Sequence, residues 1–155
     1  MDLLELEIAR RLKNKKKSLV IAESCTGGLV SHRITNTPGS SVYFKGAVVA
    51  YSNKVKETLL AVPKSTVKKH GAVSRQVALA MADGVREALS GDIAVSITGI
   101  AGPGGGSFAK PAGLAYIAFS SQKKKRSKKV FFTGDRLSVK EKFSGAALKF
   151  LLENI

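Results

Sequence analysis

Ser24, Cys25 and Thr26 stand together in the segment A-E-S-C-T-G-G (Ala22 to Gly28), directly after the apolar run Leu19-Val20-Ile21. A hydroxyl or thiol at the end of a buried strand, followed by glycines that turn into a helix, sits where open α/β sheets bind their ligands. Chemistry there would be nucleophilic. A serine hydroxyl is a weak nucleophile until a base removes its proton, so another part of the chain must supply that base. The histidines are His32, about two turns into the following helix, and His70, just before a glycine; neither has a carboxylate partner evident nearby. The other source is Lys56, five residues after Tyr51. A lysine acts as a base only when burial or neighbouring cations lower its pKa from ~10.4 toward neutrality. Taken alone, Tyr51 and Lys56 also fit a packed tyrosine and a solvated helix lysine. Cys25 likewise fits either a nucleophile or a buried packing residue.

A second glycine-rich segment, T-G-I-A-G-P-G-G-G-S (Thr98 to Ser107), carries Gly99, Gly102, Gly104, Gly105 and Gly106 within eight residues. Such a loop lets backbone N–H groups approach a phosphate or carboxylate. It is neither GxGxxG nor a P-loop, and a surface turn has the same composition. The segments at Ala22–Gly28, Tyr51–Lys56 and Thr98–Ser107 each follow a predicted strand. Neighbouring strands would bring all three to one sheet edge.

The elements that position these segments follow from periodicity. Leu4, Ile8 and Leu12 lie four apart and predict an amphipathic helix from Asp2 to about Leu12. Ser18–Ala22 predicts a short strand, Thr26 to about Arg33 a helix, and Phe44–Tyr51 a second strand. Asn53 through Leu60 reads as a helix capped by Asn53, with a further helical piece near Lys64-Ser65. Ser74 caps a longer helix whose buried face is Val77, Met81, Val85 and Ala88. Ile93–Ile97 is the next strand. Gly113–Ser120 and Val130–Thr133 flank the basic link Lys123–Lys129, too short for a parallel crossover, and so predict an antiparallel pair. Ser138 to Glu141 has the capping-box pattern of a last helix, with Phe143, Ala147, Phe150 and Leu151 on one face. The expected fold is a three-layer α/β/α domain over residues 1–155, with a mixed, mostly parallel sheet of about five strands.

Composition narrows the function class. The 155 residues suit one domain, and no apolar run approaches the roughly 18 to 20 residues that cross a bilayer. The acidic, amphipathic start lacks a signal-peptide pattern, so a cytoplasmic protein without a membrane role is expected. One cysteine and two histidines leave no disulfide framework and no metal-ligand cluster, so neither a metal nor a cofactor is expected. The net charge of +15 favours anionic partners. Much of it lies in Lys13–Lys17 and Lys123–Lys129, runs without interleaved aromatics, which suit solvated loops or contact with a polyanion.

A-E-S-C-T-G-G, P-G-S-S-V-Y-F-K-G-A-V-V-A-Y-S-N-K-V-K, H-G-A-V-S, G-I-A-G-P-G-G-G-S with the following K-P-A-G, and the late G-D-R together resemble the CinA C-terminal domain family. The resemblance runs from about Leu3 to the C-terminus and suggests a stand-alone member, without the separate N-terminal domain of full-length CinA proteins. It implies a nicotinamide mononucleotide deamidase of the PncC type, yielding nicotinate mononucleotide and ammonia, with no metal required. Motif position places the family's catalytic serine, tyrosine and lysine on Ser24, Tyr51 and Lys56. It places substrate contacts on Cys25, Thr26, Gly27 and Gly28, on Thr98, Gly99, Gly102, Gly104 and Gly105, and on Arg136. N–H groups near Thr26 to Gly28 would stabilise an oxyanion, while the glycine loop and Arg136 would hold the phosphate. Thr98 replaces the usual serine, Gly104 the usual aspartate, and Leu137-Ser-Val-Lys140 the usual arginine-containing pattern. These departures bear on substrate preference rather than on Ser24, Tyr51 or Lys56. The implied partner is a small nucleotide, and the implied assembly a homodimer. The alternative is a non-catalytic domain that binds a nucleotide or nucleic acid through its basic loops.

Overall fold

In the computed structural model, which describes residues 3–155, the strands are β1 (Leu19–Glu23), β2 (Phe44–Val49), β3 (Ile93–Gly99), β4 (Leu114–Ser121) and β5 (Lys125–Phe131). They form one sheet in the order β2-β1-β3-β4-β5. β1 pairs in parallel with both β2 and β3, while β4 is antiparallel to β3 and to β5. Four strands therefore share a direction and β4 runs against them. β1 is buried along its whole length, as a central parallel strand covered on both faces must be, and this is why its sequence is apolar without alternation.

The helices are α1 (Leu3–Lys15), α2 (Leu29–Thr35), α3 (Asn53–Leu60), α4 (Lys64–His70), α5 (Arg75–Ala88) and α6 (Arg136–Asn154). Ile8, Leu12, Val30, Ile34, Phe143 and Leu148 bring α1, α2 and α6 onto one face of the sheet around Ile21, Val95 and Ile117. Leu60, Val77, Met81 and Val85 bring α3 and α5 onto the other face around Val20, Ala22, Ala94 and Ala118. The three expected layers are present, with a separate apolar core on each side of the sheet. No helix among the described residues is long and apolar enough to cross a membrane.

Several local expectations shift. The start of α1 at Asp2 lies outside the described residues. α1 continues to Lys15, so most of the Lys13–Lys17 run ends a helix rather than forming a loop. Ser52, not Asn53, caps α3, its hydroxyl accepting the Val55 N–H. The Lys123–Lys129 run is largely strand: β5 begins at Lys125 because the turn closes tightly, with Ser121 N–H bonded to Lys124 O. Asp135 accepts from Ser138 N–H and caps α6, three residues before the expected cap at Ser138, so that the helix starts at Arg136. His70, just before Gly71, ends α4.

Candidate active site

The carboxyl ends of β1 and β3 lead into the turn holding Ser24 and into the glycine loop, and β2 ends just before Tyr51. Because these strands are parallel neighbours, the three segments meet at one edge of the sheet. There they line a cleft of ≈ 250 Å³. Ser24, Cys25, Tyr51, Lys56, Thr98, Gly99, Gly102, Gly104, Gly105 and Arg136 all contribute to it. Thr26, Gly27 and Gly28 do not; they line a neighbouring cavity against Leu137 and Lys140 on α6. Sequence reasoning did not single out Asn53, Ala72, Val73, Ile100 or Ala101 as site residues, although H-G-A-V-S contains Ala72 and Val73.

Lys56 lies one turn into α3, and its side chain crosses to β1. Its Nζ donates to Ser24 Oγ at 3.1 Å and to the Tyr51 carbonyl at 3.2 Å. Lys56 is 2% exposed and Ser24 7% exposed, so the contact is shielded from bulk water. Burial pushes the Lys56 ammonium below the ordinary lysine range, because an isolated charge loses its hydration there. No carboxylate pairs with it among the described residues. Lys54, two residues earlier, is exposed.

Cys25 is buried and burial pushes its thiol up to about 12, which keeps it neutral and suits packing rather than nucleophilic attack. The Tyr51 hydroxyl accepts from Arg136 Nη2 at 2.9 Å, and Arg136 Nη1 donates to Gly102 O at 2.7 Å. Arg136 therefore ties the tyrosine to the glycine loop at the exposed rim. The Tyr51 hydroxyl makes no hydrogen bond to Ser24 or Lys56; its backbone carbonyl is what touches the lysine. The Thr98 hydroxyl donates to Ala72 O at 2.9 Å, so it draws the segment between α4 and α5 against the cleft.

Glu23 ends β1 fully buried and is the principal residue that sequence reasoning passed over. One carboxylate oxygen accepts from Thr26 Oγ1, Gly28 N–H and Val30 N–H, at 2.6, 3.0 and 3.1 Å. The other accepts from Ser31 N–H and Oγ at 2.8 and 2.6 Å. This arrangement corrects two expectations. Thr26 does not open a helix: Thr26–Gly28 form a turn, and α2 begins at Leu29 after Gly28 at φ +102°. Nor are the N–H groups of Gly27 and Gly28 open to an oxyanion, because Ser24 O and Glu23 already take them. The backbone N–H groups of Cys25 and Thr26 make no hydrogen bond to another described residue, that of Cys25 facing only its own thiol. His32 lines two cavities that do not include Ser24 and makes no contact with it.

The arrangement is a buried hydroxyl held against a lysine amine whose charge is disfavoured, beside spare backbone donors and next to the glycine loop. It has the parts needed for acyl transfer.

Comparison with known proteins bears on family and fold. The CinA C-terminal domain profile matches residues 1–155. The CinA-like protein of Chloroherpeton thalassium is 47% identical over 154 residues, covering 97% of this chain and 37% of that protein. This chain spans about a third of the length of the curated relatives it matches, 32–38%. Among solved structures, competence/damage inducible protein CihA from Agrobacterium tumefaciens has TM-score 0.93 and 34% identity, covering 99% of this chain and 98% of its own. The competence damage-inducible protein A from Klebsiella pneumoniae has TM-score 0.93 and 33% identity, with 97% and 93% covered. With its whole described length matched in sequence and fold, the chain belongs to the CinA C-terminal domain family.

Proposed function

We propose that this protein is an amidohydrolase that deamidates nicotinamide mononucleotide to nicotinate mononucleotide and ammonia, with Ser24 as nucleophile and Lys56 as base. The observation that carries the reading is the 3.1 Å contact between buried Lys56 Nζ and Ser24 Oγ, in a cleft whose lining includes no carboxylate. The family resemblance supplies the substrate.

In the mechanism that follows, neutral Lys56 takes the Ser24 proton as Oγ attacks the carboxamide carbon. The carbonyl oxygen becomes an oxyanion, for which the Cys25 and Thr26 N–H groups are the uncommitted donors. The Lys56 ammonium then returns its proton to the amide nitrogen, the C–N bond breaks and ammonia leaves. Water attacks the resulting ester, giving its proton to Lys56, and Ser24 regains its own as the acid departs. The Tyr51 carbonyl holds the amine of Lys56 in place. Ala72, Val73, Ile100 and Ala101 offer an apolar lining for the pyridine ring. Arg136 stands at the rim, where a phosphate would emerge from a cleft of ≈ 250 Å³.

Ammonia release from nicotinamide mononucleotide and from free nicotinamide tests the reading. The wild type turns over the nucleotide well above the free base, and Ser24→Ala lowers kcat by at least about 10³-fold with the fold intact. Full activity in Ser24→Ala would sink the assignment.

A further inference from the structure

The Lys13–Lys17 run and the first residue of the second run, Lys123, far apart in sequence, converge on the edge of the sheet opposite the cleft. The register fixes this: the amino ends of β1, β2 and β3 pair at Leu19 with Phe44 and with Ile93, and Ile93 pairs with the last residue of β4, Ser121. Lys15 and Lys17 from the end of α1, Arg86 from α5 and Lys123 from the β4–β5 turn line one cavity of ≈ 410 Å³ there. Lys13, Lys16 and Lys45 line an adjoining one of ≈ 320 Å³, which shares Lys17. Between them Asp92 is occupied by Ser18 and Lys17. Lys13, Lys15, Lys16 and Lys123 make no ion pair among the described residues. The proposed chemistry of the cleft uses none of these cations.

We propose that this edge binds the phosphate backbone of a duplex nucleic acid, independently of base sequence. The cations form a continuous band built from elements that the sheet holds in fixed relation, which is what a regular row of phosphates requires. Lysines act there as point charges, suiting backbone contact rather than bidentate base reading. A single strand would call for aromatic platforms on which bases stack. The exposed aromatics Tyr51, Phe108 and Phe131 all stand toward the cleft edge instead.

Fluorescence anisotropy of the full chain with a labelled 20-base-pair DNA duplex tests this across a salt series. Binding is expected to weaken with salt along a log–log slope of about −0.9 per phosphate contacted. The triple variant Lys15→Glu, Lys16→Glu, Lys123→Glu should lose at least tenfold in affinity and flatten the slope by about 3. A control variant with Lys64→Glu, Lys68→Glu and Lys69→Glu on α4 carries the same net charge and should bind within about twofold of the parent. Circular dichroism melts check that both variants fold. Equal losses in the two variants would reduce the effect to net charge and overturn the proposal, as would absence of duplex binding at 0.05 M salt. Tighter binding to an unpaired strand, or binding only to phosphatidylglycerol vesicles, would also overturn it. Neither Ser24 nor Lys56 takes part, so failure here leaves the amidohydrolase reading standing, and failure of that reading leaves this one.

Discussion

At the residue scale, the protonation of Lys56 governs the proposed chemistry, and its sign is fixed by its surroundings. Burial lowers its pKa, so the amine is neutral over a pH range in which an exposed lysine is charged. Activity should therefore rise with pH through a single inflection below ~10.4, the ordinary lysine value, and fall as Lys56 gains a proton on the acid side. Lys56→Arg keeps a cation but cannot serve as base; its kcat should drop by about 10² to 10⁴ and lose that inflection. The same shift affects stability. The folded state resists protonation of Lys56 while the unfolded state does not, so the penalty is full below the folded pKa and disappears as pH rises toward ~10.4. Lys56→Met removes it. The melting temperature of that variant relative to wild type should thus be highest at low pH and decline as pH rises, and a flat difference would show that the lysine is not desolvated.

At the element scale, the site depends on how α3 and the turn after β1 are held. Gly84 in α5 faces the end of α3 so closely that an added Cβ would lie 1.9 Å from Leu60 O. Leu60 is one helical turn beyond Lys56, so relief of that clash moves the segment that aims the lysine. Gly84→Ala should cost about 1 to 3 kcal/mol of stability and lower kcat more than it raises KM, read by denaturant unfolding and ammonia release. Glu23 plays the matching part for Ser24. Glu23→Gln leaves buried donors of the Thr26–Ser31 turn without acceptors, at about 1 to 3 kcal/mol, and should lower the melting temperature and activity together. An unchanged melting temperature would show that the turn does not depend on the carboxylate. These two residues mark the limit of what the sequence made legible. Ser24, Tyr51, Lys56 and the glycine loop were readable because each follows a strand and the strands proved to be neighbours. Glu23 was not, because one carboxylate serving five donors exists only once the turn has folded back on it. The bounds of α3 were read correctly but its cap was placed on Asn53 instead of Ser52, and the starts of α2 and α6 were misread at Thr26 and Ser138, because neighbouring side chains competed for the same N–H groups and geometry chose among them.

At the scale of the whole molecule, the two edges of the sheet differ in lining: one holds the cleft with Ser24 and Lys56, the other a cluster of lysines. Twenty-six basic residues face eleven acidic ones, so most cations have no partner of opposite sign. Apart from the largely buried Arg33–Glu5 pair, ion pairs such as Lys125 with Asp83 and Lys128 with Glu153 are at least partly exposed and individually worth about 0 to 1 kcal/mol. Repulsion along the Lys13–Lys17 and Lys123 edge acts over longer range, and salt shortens that range from about 30 Å at 0.01 M to about 10 Å at 0.1 M. Screening should therefore relieve more repulsion than it costs in paired attraction. A net relief of about 1 kcal/mol raises the melting temperature of a chain this size by roughly 2 to 4 °C. The triple variant with Lys15→Glu, Lys16→Glu and Lys123→Glu should show a smaller rise, since the crowding it removes is what salt was screening. A melting temperature that falls on adding salt would mean that the ion pairs, and not the unpaired basic edge, dominate the electrostatics of the fold.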